Sequence, residues 1–159
     1  IMSIADPVAR VDKETRCAIG GGTFSANPMT MTAGLVTLNF LKKNKRQVYS
    51  KIDKLGGMAR KGLAKLFAES GIPCHVTGVG SIFLTHFSKG PVLDASDAAK
   101  SDRALLKRYN LALMANYGIF FLPTKMAALS FVHEESDIED LMDATEKIIT
   151  DTKVFKQFA

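Results

Sequence analysis

The chain has 159 residues, of which 47% are hydrophobic and 23% are charged, and its formal net charge is +5 at pH 7. A chain of this size and composition can bury a core of its own as one domain, which excludes a disordered tail, a collagen-like repeat and a disulfide-built miniprotein. No apolar run approaches the roughly 18 residues of a membrane span, so we expect no membrane partner.

The first half of the sequence predicts two helices and a β-rich region. Residues 1–21 are irregular, and Asn27 followed by Pro28 is typical of a helix start. Because apolar residues nearly surround this first helix, which runs to about residue 41, we expect it to be buried along most of its length. A stripe of 3.6-residue period predicts a second helix that ends near Gly71. The stripe comprises Val48, Ile52, Leu55, Ala59, Leu63 and Leu66.

Two β-rich runs, 75–79 and 81–87, follow the second helix, and glycines at 78 and 80 indicate a bulge or tight bend between them. Residues 88–101 are expected to form a loop. The next helix covers about 102–116 and stops at Gly118. Short strands are expected at 119–122 and 129–132, and a final helix follows from about residue 138 to 155. The predicted fold class is therefore α+β, with a small antiparallel sheet of three or four strands and helices packed on one face.

The positive charge is concentrated in one stretch. Residues 42–65 carry nine basic side chains and one acid, Asp53, whereas residues 134–159 carry eight acids. A nucleic-acid module normally combines such a stretch with stacking aromatics or a base-reading motif, and here only Tyr49 interrupts it. We therefore interpret the stretch as a solvated helix face and expect no nucleic-acid partner. A non-catalytic interaction module that binds an acidic partner stays an alternative.

The search for catalytic and metal motifs is largely negative. His75, His86 and His133 lack metal-ligand spacing, so no metal site is expected. Cys17 and Cys74 are far apart, which favours a reduced, cytoplasmic protein. No dinucleotide fingerprint, Walker motif or nucleophile elbow occurs.

One segment combines features of an anion site. The glycines at 20–22 allow close backbone approach, Thr23 and Ser25 offer hydroxyl groups, and a helix begins directly afterwards. Such a segment can hold a phosphate or a carboxylate. A plain loop with a helix cap is the alternative, and the residues alone do not exclude it.

The segment 21–35, GGTFSANPMTMTAGL, closely resembles the G-T-x-S-x-N-P-x-x-M-x-A-G signature of class III, fold-type I pyridoxal-phosphate enzymes, most of all their glutamate-1-semialdehyde 2,1-aminomutase branch. The likeness continues in the same order through VTGVGSIF (76–83), GIFFLP (118–123), His133 and Asp137–Ile138. The later motifs are individually weak, but the resemblance covers nearly the whole chain.

The resemblance implies that this chain is the C-terminal third of such an enzyme. Residues 1–26 would be the tail of the large cofactor domain, residues 27–43 an interdomain helix and residues 44–159 the small C-terminal domain. Gly22 and Thr23 would bind the phosphate of pyridoxal 5'-phosphate in the neighbouring subunit of a homodimer. The Schiff-base lysine would precede Ile1, so no catalytic residue is expected in this chain and the chain alone is expected to be inactive.

The implied reaction is the conversion of glutamate 1-semialdehyde to 5-aminolevulinate for tetrapyrrole synthesis. The resemblance departs from the aminomutase pattern at one position. That branch places an acid of the substrate site a few residues after the proline that matches Pro123, and the aligned residue here is Ala127. The loop from Pro123 to His133 (the 123–133 loop) is also about two residues shorter. A related aminotransferase, which moves an amino group between an amino donor and a keto acid, therefore stays an alternative.

Overall fold

The computed structural model describes residues 26–150 and 152–155, which fall into two units divided between Asn44 and Lys45. The described part of the first unit contains the helix α1 (Pro28–Lys43). The second unit contains, in chain order, α2 (Lys45–Glu69), β1 (His75–Val79), β2 (Ile82–His86), α3 (Ala95–Ala99), α4 (Arg103–Tyr117), β3 (Ala127–Ala128), α5 (Glu135–Thr150) and α6 (Thr152–Phe155). The assignment of residues 1–26 to a larger domain stays a prediction.

The helix α1 begins where the sequence predicts. The Asn27 side chain accepts hydrogen bonds from the backbone N–H groups of Met29 and Thr30, and Pro28 occupies the first turn. The expectation that this helix is buried along most of its length is wrong, because none of its residues is buried. Leu35 and Leu38, for example, are 60% and 66% exposed. A hydrophobic pattern identifies apolar residues, but it does not say whether another element covers them.

The strands form a three-stranded antiparallel sheet of order β1-β2-β3. The expected tight bend is a two-residue turn, Gly80–Ser81, between the paired residues Val79 and Ile82. Gly80 has a φ of +56°, a conformation that glycine adopts at little cost and that hairpin turns of this length require. The three-stranded sheet and the surrounding helices confirm the predicted α+β class.

The core of the second unit lies between the helices and one face of the sheet. The apolar stripes of α2, α4 and α5 and the ring of Phe83 on β2 contribute to it. Phe67, Phe87, Tyr109 and Phe155 form an aromatic cluster whose ring centroids are 5.3–6.2 Å apart. The buried hydroxyl of Tyr109 lies 2.8 Å from that of Thr145, which itself donates to the Leu141 carbonyl. The Tyr109 hydroxyl is therefore the donor of the first bond.

The prediction of strands at 119–122 and 129–132 is wrong. Neither segment is a strand, and the third strand is instead Ala127–Ala128, which pairs with Phe83 and Ile82. Ile119, Phe121 and Leu129 still pack against the core, which explains their apolar character without sheet pairing. An extended apolar segment becomes a strand only where it can pair with the open edge of a sheet. Here β3 pairs with β2 on the side opposite β1.

Two smaller expectations also need correction. The predicted loop 88–101 contains the short helix α3, which Asp94 caps by accepting from the Asp97 N–H. The final helix begins at Glu135, earlier than expected, and α5 and α6 cover the rest of the predicted helix apart from residue 151, which lies outside the described residues. The buried positions Ile138, Leu141, Thr145 and Ile148 belong to the predicted stripe. No helix among the described residues combines the length and apolarity needed to cross a bilayer.

Candidate functional site

The predicted cofactor-binding pair, Gly22 and Thr23, lies outside the described residues. The structure does describe the helix start directly behind the pair. Pro28 has no N–H group, the N–H groups of Met29 and Thr30 donate to the Asn27 side chain, and that of Met31 donates to the Asn27 carbonyl. These first N–H groups of α1 therefore already have acceptors within the protein, and the phosphate role of Gly22 and Thr23 stays a prediction.

Two of the described histidines, His86 and His133, form hydrogen bonds within the protein. The His86 ring lies 2.9 Å from the Thr77 hydroxyl, and burial together with the charge of His75 lowers its pKa. The Nδ1 atom of His133 accepts from the backbone N–H and the hydroxyl of Ser130, at 3.0 and 2.9 Å. Across residues 26–150 and 152–155, no group of three or more His, Cys, Asp or Glu residues is arranged to hold a metal ion.

Polar contacts hold the 123–133 loop at its first end. The Leu122 carbonyl accepts from the Lys125 N–H at 3.0 Å and from the Asn110 side-chain amide at 3.4 Å. Thr124, between them, has a φ of +63°, an uncommon conformation for a threonine. Asn110 is 1% exposed, and its Oδ1 atom has no hydrogen-bond partner in the described structure. Further along the loop, the Leu129 N–H donates to the Ser81 carbonyl at 3.0 Å.

Ala127, which stands where the aminomutase pattern has an acid, lies in β3 directly opposite Phe83. Directly paired residues of antiparallel strands place their side chains on the same face of the sheet. Phe83 is 2% exposed, and Ala127 packs against the same core. A carboxylate at this position would therefore lie beside an apolar ring and would lose part of its hydration.

A cavity of about 610 Å³ lies beside this loop. Its wall combines the extended segment 118–122, loop residues 126–129 and the start of α5. A cavity of this size is within the range that holds a small ligand. Its polar side chains include His133, Asp137 and Asp140, whereas Phe120 and Leu122 supply apolar surface. Because Nδ1 of His133 accepts two hydrogen bonds, a neutral ring carries its hydrogen on Nε2.

Arg60, Lys51 and Lys54 of the basic stretch contact other elements of the fold. The Arg60 guanidinium donates to the Gly80 carbonyl at 2.6 Å and to the Ile82 carbonyl at 3.3 Å. Lys51 and Lys54 form ion pairs with Glu134 and Glu135 at the start of α5. The interpretation of a solvated face is thus incomplete, because part of this charge attaches α2 to the hairpin and to α5.

Sequence reasoning missed Asn110 and Lys51 as contact residues. A signal existed for Asn110, since it falls between Leu106 and Leu113 on the buried stripe of α4, where a polar residue needs a hydrogen-bond partner. For Lys51 there was none, because its acceptor Glu134 lies 83 residues away.

The lysines of the described chain do not include a buried one. Those in residues 26–150 are exposed or partly exposed. A lysine that forms a covalent bond with a carbonyl cofactor works from a desolvated or otherwise activated position. The expectation that the Schiff-base lysine precedes Ile1 stays a prediction, because the exposure of these lysines does not test it.

The chain is similar in sequence to an aminomutase and in fold to transaminases. It is 37% identical over 130 residues to glutamate-1-semialdehyde 2,1-aminomutase of Thermus thermophilus, a match that covers 80% of this chain and 30% of that protein. The fold is similar to an ω-transaminase from Sphaerobacter thermophilus, with a TM-score of 0.68 and 33% identity, covering 96% of this chain and 33% of the other. It is also similar to a transaminase with bound PLP, with a TM-score of 0.70 and 26% identity, covering 98% and 33%. No family model matches the chain.

Proposed function

Because this chain is a homologue of the glutamate-1-semialdehyde 2,1-aminomutases and of class III transaminases, we propose that it is the C-terminal part of a pyridoxal-phosphate-dependent aminomutase. The reaction is the conversion of glutamate 1-semialdehyde to 5-aminolevulinate in tetrapyrrole synthesis. The single observation that carries this proposal is the 37% identity over 130 residues with an aminomutase. The chain spans about 30% of the length of that relative, so the activity belongs to the complete protein.

Within the complete protein, this chain supplies positioning groups. Pyridoxal phosphate, when bound, acts as the electron sink of amino transfer. Gly22 and Thr23 bind its phosphate, and the 123–133 loop with its adjoining cavity contacts the small amino or keto substrate. The proposal includes a cytoplasmic homodimer, in which Gly22 and Thr23 of one subunit contact the cofactor of the other. It also makes the isolated chain catalytically inactive.

The phosphate role of Thr23 predicts a measurable loss of cofactor affinity. A hydrogen bond to a charged phosphate contributes about 1.5–3 kcal/mol, so Thr23→Val should weaken binding of pyridoxal phosphate to the complete apoenzyme by roughly 10- to 150-fold. Valine preserves the shape of threonine, which should spare folding. Titration of the cofactor into wild-type and variant apoenzyme measures the two dissociation constants.

Thr32→Val is the matched control for this titration, because the Thr32 hydroxyl donates to the Pro28 carbonyl within α1. It should leave cofactor affinity unchanged. If Thr23 is only a loop or cap residue, the melting temperature of Thr23→Val will fall while its dissociation constant equals that of the wild type. That result would contradict the phosphate role.

A second candidate function is amino transfer between two substrates. Ala127 favours it, because this position offers an apolar side chain against Phe83 in place of the acid of the aminomutase pattern. The similarity in fold to an ω-transaminase supports the same alternative.

An assay of the complete enzyme separates the two functions. Glutamate 1-semialdehyde is supplied alone in one reaction, and amino acid and keto acid pairs are supplied in the others, with the isolated 159-residue chain as the inactive control. We expect 5-aminolevulinate to form without any added amino donor, which shows that Ala127 is tolerated in an aminomutase. If only the amino acid and keto acid pairs react, the aminomutase proposal is contradicted and the aminotransferase function is supported instead.

A further inference from the structure

The ammonium group of Lys51 contacts two residues at the far end of the 123–133 loop. Its Nζ atom lies 2.6 Å from the Glu134 carboxylate and 5.3 Å from the centre of the Phe131 ring. The Lys51 side chain is 28% exposed and that of Glu134 is 67% exposed, so the ion pair lies near the surface and contributes modestly beside the contact with the Phe131 ring. The cation–π contact and the ion pair each favour keeping the Lys51 ammonium group close to Phe131 and Glu134.

These contacts lie on either side of His133, which lines the cavity. Phe131 precedes His133 by two residues, and Glu134 follows it directly. Glu134 is itself held at the start of α5, because its N–H donates to the Asp137 carboxylate at 2.8 Å. The first end of the loop is held separately by Asn110 at the Leu122 carbonyl.

We propose that Lys51 is a positioning residue that holds the second end of the 123–133 loop against α2 and thereby sets the shape of the substrate cavity. This inference rests on the proposed function, because that function makes the loop part of the substrate site. Lys51 does not touch the reacting atoms in this proposal. It acts through Phe131 and Glu134, so its loss should raise KM for the substrate and leave kcat within about twofold.

Lys54 provides a matched control on the same helix. It forms an ion pair with Glu135, the first residue of α5, and its side chain is 61% exposed. Lys51→Met and Lys54→Met each remove one lysine charge and one ion pair between α2 and the region of α5. The two variants differ because only Lys51 contacts the Phe131 ring and Glu134, the residue directly after His133.

The test uses the complete enzyme and two independent measurements. The first is the rate of tryptic cleavage after Lys125, an exposed residue of the loop, followed by mass spectrometry. Loss of one ion pair and one cation–π contact should speed this cleavage roughly three- to 30-fold in Lys51→Met. The second measurement is KM and kcat, in which KM should rise by a similar factor. Lys54→Met should match the wild type in both, and Lys51→Arg should restore most of the wild-type behaviour.

Three results would overturn the proposal. One is wild-type cleavage after Lys125 in Lys51→Met, and another is an equal effect of Lys54→Met. The third is faster cleavage with unchanged KM, since the loop would then move without consequence for the substrate. A wild-type enzyme without amino-transfer activity would instead contradict the proposed function, and the cleavage rates would still show whether Lys51 holds the loop.

Discussion

Replacing Gly56 by alanine should destabilise the 159-residue chain by about 3 kcal/mol or more. A Cβ atom at this buried position of α2 would lie 1.9 Å from the Gly80 carbonyl oxygen of the hairpin turn. Both partners are backbone, so a side-chain rotation cannot relieve the contact. One helical turn later, Arg60 donates to the same Gly80 carbonyl, so a shift of the hairpin also weakens this bond. Urea denaturation followed by far-UV circular dichroism measures the free energy of unfolding.

The adjacent glycine is the control for this substitution. A Cβ atom at Gly57 would meet nothing within 4 Å. Alanine has the higher helix propensity, so Gly57→Ala should stabilise the chain by about 0.5–1 kcal/mol. The two neighbouring substitutions are thus expected to change stability in opposite directions. Equal effects would show that α2 and the hairpin do not approach each other at Gly56.

The thiol of Cys74 should react very slowly in the folded chain. Burial raises its pKa from 9.0 to about 12. Since the thiolate is the reactive form, a shift of this size lowers the reaction rate near pH 8 by roughly a thousandfold relative to an exposed cysteine. The measurement uses Ellman's reagent on Cys17→Ser, which leaves Cys74 as the only thiol of the chain. Denaturant should restore the ordinary rate, whereas a fast reaction of the folded variant would contradict the burial of this thiol.

The same pKa shift predicts a loss of stability at alkaline pH. The folded chain keeps the Cys74 proton up to about pH 12, whereas the unfolded chain releases it near pH 9. The contribution of the Cys74 thiol to the free energy of unfolding is therefore complete below pH 9 and declines between pH 9 and 12. Burial also raises the pKa of the Tyr109 hydroxyl, which contributes in the same direction. Cys74→Ala in the Cys17→Ser background should make the alkaline decline of the melting temperature less steep.

The sequence by itself determined the longer helices and the hairpin, because their signals are local. Asn27 and Asp102 cap the helices that they were expected to begin, and Gly118, with a φ of +68°, ends α4 as predicted. Caps and 3.6-residue stripes act between residues a few positions apart, which a single sequence displays directly. The resemblance in residues 76–83 and 118–138 likewise required no structure.

The tertiary structure decided features that depend on residues distant in the chain. Ala127–Ala128, not the more β-prone segment 119–122, is the third strand, because strand pairing depends on which segment reaches the edge of β2. The adjacent glycines Gly56 and Gly57 of α2 look equivalent in sequence, and only the position of Gly80 makes Gly56 necessary. The contact of Lys51 with Glu134 spans 83 residues. Local patterns select helix or strand, whereas close approach, burial and the resulting pKa shifts exist only after packing has brought these residues together.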